Sequence, residues 1–308
     1  ILMDHLLKNS TSIKIIIAPH EISKQSVENL AKRIELPYTK WSDYDEKNDA
    51  DKKIMIVDTI GQLAKIYRYA KFAYVGGGMK KGGLHNTLEP AAYGIPVVMG
   101  NDATVGTIAE WKIGAGKGSE NFALVTLGTG IGAGLVVDGR LLLGNNGFAG
   151  EAGHMTIDVN GPVHITGQKG PWEYFASGNA LNRIVQNEAS EGNYPWVVDQ
   201  AGKKENITGE YLSSGIQNKE PDSLRILDHF CHEVSKGLVN LILLLDLDRV
   251  VIGGGVSEIG EPLRNGIEKW IEKTLIGSEH RPKIEVKLAK LGSNAGAIGA
   301  ALSTTNYF

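Results

Sequence analysis

The sequence predicts an α/β protein in two parts. In the first hundred residues, short β-branched runs alternate with helical patterns, as in a parallel sheet with helices on its faces. From Asn101 the texture changes to apolar runs joined by tight Gly turns, an antiparallel signature. A long apolar helix and a further strand–helix–strand series complete the chain. With 308 residues and roughly 100–200 residues per domain, two domains are expected, 1–100 and 101–308.

Taken in order, Ile13 to Ala18 reads as a buried strand ended by Pro19. Ser23 can cap a helix with Val27, Leu30, Ala31 and Ile34 on one face. The polar stretch from Lys40 to Lys53 reads as loop. Ile54–Val57 reads as a strand, Ile60–Ala70 as a helix with Leu63, Ile66, Tyr67 and Ala70 inward, and Phe72–Val75 as a third strand. A Gly-rich loop from Gly76, a short helix around Leu88–Tyr93 and a strand Ile95–Met99 follow. Asp102–Trp111 is a helix. Phe122–Leu127 and Ile131–Val137 are strands around a Gly turn, and Asp138-Gly139 turns the chain into Arg140–Leu143. Thr156 to Glu173 is irregular. Leu224–Leu245 is a long buried helix. Strands at Arg249–Ile252 and Ile284–Leu288 alternate with helices at Glu258–Leu275 and Ala295–Leu302.

Composition narrows the function. The net charge of -3 and the lack of a long basic run argue against a nucleic-acid partner. One cysteine, Cys231, excludes an intramolecular disulfide and a Cys-rich zinc site. No apolar run approaches the roughly 20 residues of a membrane span. The first residues lack a signal-peptide pattern and an initiator Met, so a cytosolic chain that begins inside a domain is expected.

In the first part, Gly76-Gly77-Gly78 and Gly82 to Ala91 fit a ligand loop at the C-terminal end of a parallel sheet. Glu89 can accept hydrogen bonds from ribose hydroxyls; a purely structural loop is the other reading. Ile15 to Glu21, Val57 to Gly61 and Tyr74 through Pro90 resemble the C-terminal, donor-binding half of the 3-deoxy-manno-octulosonic acid (Kdo) transferases. These are GT-B glycosyltransferases acting from the CMP-activated sugar onto lipid A. The likeness covers residues 10–100. It implies a GT-B half-domain, Asn86 and Glu89 facing a CMP-sugar, and membrane association under that reading alone. The family's N-terminal domain has no counterpart in the sequence.

In the second part the motifs are Asn101-Asp102-Ala103, Leu127-Gly128-Thr129-Gly130-Ile131-Gly132, Gly147 to His154, Glu173, Ile252 to Val256, and Leu291 to Ala301. In this order they are similar to the ROK family of sugar kinases, above all glucokinases. The resemblance implies a ribonuclease H-like, actin-like ATPase lobe, ATP and Mg²⁺, a small sugar as the other ligand, and subunits that pair. Asp102 would be the base that takes the sugar proton; alone it reads as a helix N-cap. Asn101, Glu151, His154 and Glu173 would bind sugar hydroxyls. Gly128, Thr129, Gly130 and Gly132 would present backbone N–H groups to the phosphates, and Gly254 and Gly255 would let adenosine approach. Such an assembly suits phosphoryl transfer, which needs positioning, charge neutralisation and a proton acceptor.

Two departures matter. Many members of that family hold a structural zinc in a Cys-rich loop, where this chain has His164, Thr166 and Pro171, so no zinc is expected. The family's N-terminal Asp-x-Gly-x-Thr phosphate loop is not found, since Asp58 to Gln62 has the wrong spacing; impaired activity is the expectation. The two likenesses meet at Gly94–Asp102 and imply a hybrid, a transferase half-domain joined to a kinase lobe.

Overall fold

A computed structural model describes residues 14–19, 22–32, 34, 36–71, 73–75, 93, 97–99, 102–203 and 206–302. They divide into two compact units, 1–101 with 303–308, and 102–302.

Among the described residues of the first unit every strand pair is parallel. Strands β1 (Ile15–Ile17), β2 (Tyr38–Lys40) and β3 (Ile54–Ile56) form a sheet in the order β1-β3-β2. Helix α1 (Lys24–Ala31) starts where Ser23 Oγ accepts the Ser26 N–H at 3.2 Å, the expected cap. Val27 on this helix joins Ile34, Ile54 and Ile56 in a small core. Strands β4 (Ala73–Val75) and β5 (Val97–Met99) pair separately, also in parallel.

Three expectations for this unit change. The stretch 40–53 is not loop: it holds the end of β2, a 3-10 turn at Trp41–Asp43 and helix α2 (Glu46–Asp49). Asp49 anchors that segment by accepting from Thr39 Oγ1 at 2.8 Å and Asp45 N at 3.1 Å. The Lys52 ammonium first, then these donors, hold its carboxyl down at about 2. The expected helix 60–70 shrinks to α3 (Leu63–Ile66) and a 3-10 turn at Tyr67–Tyr69, with Ile66 its buried residue. Strand β1 is half-buried, not buried, because it lies at the sheet edge and leaves Ile16 44% exposed. The expected Gly76 loop and the helix at Leu88–Tyr93 lie outside the described residues, Tyr93 excepted.

The second unit is a three-layer sandwich. Strands β6 (Phe122–Leu127), β7 (Ile131–Val137) and β8 (Arg140–Leu141) form an antiparallel meander, and β9 (Arg249–Gly253) and β10 (Glu285–Leu288) add in parallel to β6. The order β10-β9-β6-β7-β8 is that of a ribonuclease H-like sheet. Asp138 and Gly139, with φ of 50° and 66°, make the turn of the β7–β8 hairpin, as their sequence signals.

Side-chain alternation divides the sheet between two cores. Ala123, Val125, Leu127, Ile131, Ala133, Leu135, Val250 and Ile252 face the large core, with α9 (Pro221–Leu245) and α10 (Glu261–Thr274). Phe122, Leu124, Val136 and Val251 face the other side with Trp111 and Ala115, at and just beyond the end of α4 (Asp102–Ile113). Burying each of the Val, Leu, Ile and Phe side chains contributes about 1.5–3 kcal/mol. Helix α11 (Ala295–Leu302) packs against α4.

Between β8 and α9 run α5 (Trp172–Ala176), α6 (Gly178–Ser190), α7 (Pro195–Ala201) and α8 (Gly209–Gln217). Trp172 is fully buried against Gly237 of α9 and donates from its ring N–H to Glu233 O at 3.1 Å. Cys231 lies inside the large core opposite Gly266, and burial pushes its thiol up to about 12. No helix among the described residues is long and apolar enough to cross a membrane.

Candidate active site

Strands β6 and β9 run parallel and both end at the glycine-rich segments the sequence singles out. At the β6–β7 tip, Gly128 N donates to Gly130 O at 3.0 Å, and Gly128 O accepts the Gly178 N–H at 2.7 Å. Gly178 opens α6 behind the Ser177 cap, whose hydroxyl accepts from Ala180 N at 3.1 Å. Gly254, just beyond β9, has φ of 82°, and a β-carbon there would stand 2.5 Å from Leu127 O. A β-carbon on Gly178 would stand 2.7 Å from Gly128 O. Three segments thus meet backbone to backbone, which glycine alone permits.

Glu173, on the first turn of α5, reaches the same tip. Its Oε2 accepts the Ile131 N–H at 2.9 Å, and its Oε1 lies 3.5 Å from His164 Nε2. A β-carbon on Gly130 would stand 2.1 Å from Glu173 Oε2. The expected sugar ligand is therefore also a brace of the Gly turn. Glu173→Gln keeps the shape but weakens the charge-assisted bond to Ile131 N, a loss of roughly 1–1.5 kcal/mol. The expected result is amide hydrogen exchange at Ile131 faster by about tenfold, with the fold intact by circular dichroism. Unchanged exchange would show that the brace does not set the tip.

Glu151 precedes and His154 ends a 3-10 turn, Ala152–His154, that lies against β7. The spacing Gly150-Glu151-Ala152-Gly153-His154 has a steric cause. A β-carbon on Gly150, where φ is 95°, would stand 2.4 Å from Ala133 O, and one on Gly153 2.5 Å from Ile131 O. The Glu151 and His154 side chains are half-buried.

Asp102 is the first residue of α4. The start of that helix sits on the β7 glycines: a β-carbon on Gly132 would meet Ala103 Cβ at 3.0 Å, and one on Gly134 would meet Ala103 O at 3.0 Å. The backbone of position 102 is thus beside the hairpin; its side chain, and the whole of Asn101, Asn86 and Glu89, lie outside the described residues. Gly255 opens the 3-10 turn Gly255–Ile259, whose Val256 is buried near Gly178.

Sequence reasoning passes over two contributors. Glu110, fully buried in α4, accepts from Ala115 N at 2.6 Å and Leu291 N at 2.8 Å, tying the segment before α11 to α4. An acid inside an apolar helix is the signal for it. Gln168 donates to the backbone oxygen of His154 and to Thr156 Oγ1 at 3.1 Å, and nothing in the pattern announces it.

The zinc of the resembling family finds no fit: His164 Nδ1 faces Thr166 Oγ1 at 3.1 Å, and Pro171 offers no side-chain donor. Among the described residues no group of three or more His, Cys, Asp or Glu side chains could hold a metal ion.

A Gly-rich hairpin facing a helix N-terminus, on a ribonuclease H-like sheet, defines an actin-like ATPase lobe. A family model described as the ROK family matches residues 53–306. A glucokinase of Streptomyces coelicolor is 34% identical over 214 residues, 68% of this chain and 68% of its own length. A xylose repressor of Bacillus subtilis is 29% identical over 70% of this chain and 52% of its own. A crystal structure of a ROK family glucokinase from Streptomyces griseus in complex with glucose and AMPPNP has a TM-score of 0.64 and 33% identity, covering 70% of each chain. The chain belongs to the ROK family, and it is of that family's sugar-kinase type. The likeness of residues 10–100 to Kdo transferases has no support here, because the family match begins at residue 53 and runs through the junction.

Proposed function

We propose that the chain transfers the γ-phosphoryl group of ATP to a hydroxyl of a hexose, glucose first among candidates. The observation that carries this reading is the clamped hairpin tip, Gly128 to Gly132, held by Glu173 and Gly178 at the ends of β6 and β9. Family membership and the glucokinase relatives support it. Of the tip's backbone N–H groups, those of Thr129 and Gly130 bind phosphate oxygens, because Gly128 N, expected to do so, donates to Gly130 O and Ile131 N donates to Glu173; Gly254 and Gly255 leave room for the adenosine. Asn101, Glu151, His154 and Glu173 orient the sugar. Its hydroxyl oxygen bonds to the γ-phosphorus as the β–γ bridging bond breaks, ADP leaves, and Asp102 accepts the hydroxyl proton. Mg²⁺ would arrive on the nucleotide and neutralise phosphate charge, which needs no cage of protein ligands. A cytosolic homodimer is the form in which we expect it to act.

The test is ADP release from ATP in the presence of single sugars. Glucose should raise turnover at least tenfold over the sugar-free rate. A rate that no hexose alters would end the kinase reading. The xylose repressor among the relatives makes sugar binding without ATP turnover the informative contrary result.

A further inference from the structure

The segment between Met155 and Trp172 is where a zinc would sit by family resemblance, and its residues do not fit one. The loop is nevertheless ordered by bonds of its own. Its outer limbs pair through Trp172 N to Met155 O at 2.8 Å and Ile157 N to Gly170 O at 2.9 Å. Its inner limbs pair through His164 N to Gln168 O at 2.7 Å and Gly170 N to Pro162 O at 2.9 Å. A β-carbon on Gly170 would stand 1.7 Å from Asp158 O, so the crossing of the limbs is backbone on backbone.

Of these bonds, the one at Met155 O touches the residue that caps the His154 turn but does not reach the turn itself. The Gln168 side chain does. Its amide nitrogen has two N–H groups, and two acceptors face it: the backbone oxygen of His154, and Thr156 Oγ1 at 3.1 Å. The half-buried Gln168 therefore joins the tip of the loop to the turn that carries His154. On the facing inner limb, His164 lies against Glu173. One short hairpin thus touches both the Gly-His turn and the acid that braces the Gly-rich tip.

We propose that Gln168 is a positioning residue, and that its two hydrogen bonds give the His154 turn the clamp a tetrahedral metal would otherwise give. The inference rests on the proposed kinase reading for its kinetic consequence only. The clamp itself is a statement about the loop. It acts on the sugar side of the site, through the backbone of His154, and not on the phosphate side.

Gln168→Glu tests it, because the variant keeps the shape and replaces the donor by an acceptor facing a carbonyl. The expected result is a rise of about tenfold in the KM for sugar, with kcat and the KM for ATP within about twofold. Amide hydrogen exchange at His154 and Met155 should quicken by about tenfold. Native mass spectrometry of the wild-type chain grown with added zinc should show no bound zinc. One zinc per chain, or unchanged exchange in the variant, would overturn the proposal. If no sugar supports turnover, the kinase reading fails by itself, while exchange and metal content still decide whether Gln168 is the clamp.

Discussion

Asp102→Ala is expected to lower sugar-dependent ADP release by about 10²–10⁴-fold, the range for loss of a positioned proton acceptor. Asp102 opens α4, and α4 rests on Gly132 and Gly134 of the same hairpin that we assign to the phosphates. A group that acts in the chemical step should cost kcat while leaving the KM for ATP within a few-fold. Asp102→Asn should behave like the alanine variant, since it keeps the size and any capping role but cannot take a proton. Two outcomes would remove the assignment: more than a tenth of wild-type kcat in either variant, or full activity in Asp102→Asn with loss only in Asp102→Ala. The second pattern would leave Asp102 as a helix cap.

The second large effect is on stability. Helices α4 and α11 meet through Gly106 and Gly299; a β-carbon on Gly299 would stand 1.7 Å from Val105 O. The obstacle is backbone, so no rotamer change relieves it. Gly299→Val should destabilise the second unit by roughly 3 kcal/mol or more, or about 6–12 °C in melting temperature. Gly296 is one turn away on the same helix, and a β-carbon there meets nothing within 4 Å among the described residues. Gly296→Ala should be neutral or stabilising by up to about 1 kcal/mol, because alanine favours helix. Equal melting shifts in the two variants would mean that helix propensity, not contact, governs this pair.

The parts of the fold legible in the sequence are those where chemistry forces a pattern. The β6–β7–β8 meander could be read because its Gly turn and Asp138-Gly139 leave few alternatives, and α11 because its small residues run between Asn294 and Leu302 without a proline. Strand β2 escaped because three residues among charged neighbours give no period, and Thr39 needs Asp49, ten residues away, to be buried. Helices α6 to α8 received no assignment, although Ser177 and Pro195 mark two of their starts. At the site, Gly150 and Gly153 could be noticed but not explained, since the carbonyls they avoid belong to Ala133 and Ile131. Glu173 could be named, but not its bond to Ile131, because the two are 42 residues apart. The likeness of residues 10–100 to a transferase rests on short motifs, Gly-rich turns after parallel strands that serve many ligands, and it stays without support, while the family match over residues 53–306 carries more of the chain.

The meeting of Leu127, Gly128, Gly178 and Gly254 has a mechanical consequence. No side chain separates these segments, so there is no rotamer through which one could slide past another. A ligand at this tip therefore meets a surface set before it binds, and a side chain added at Gly178 or Gly254 should disturb all three segments together.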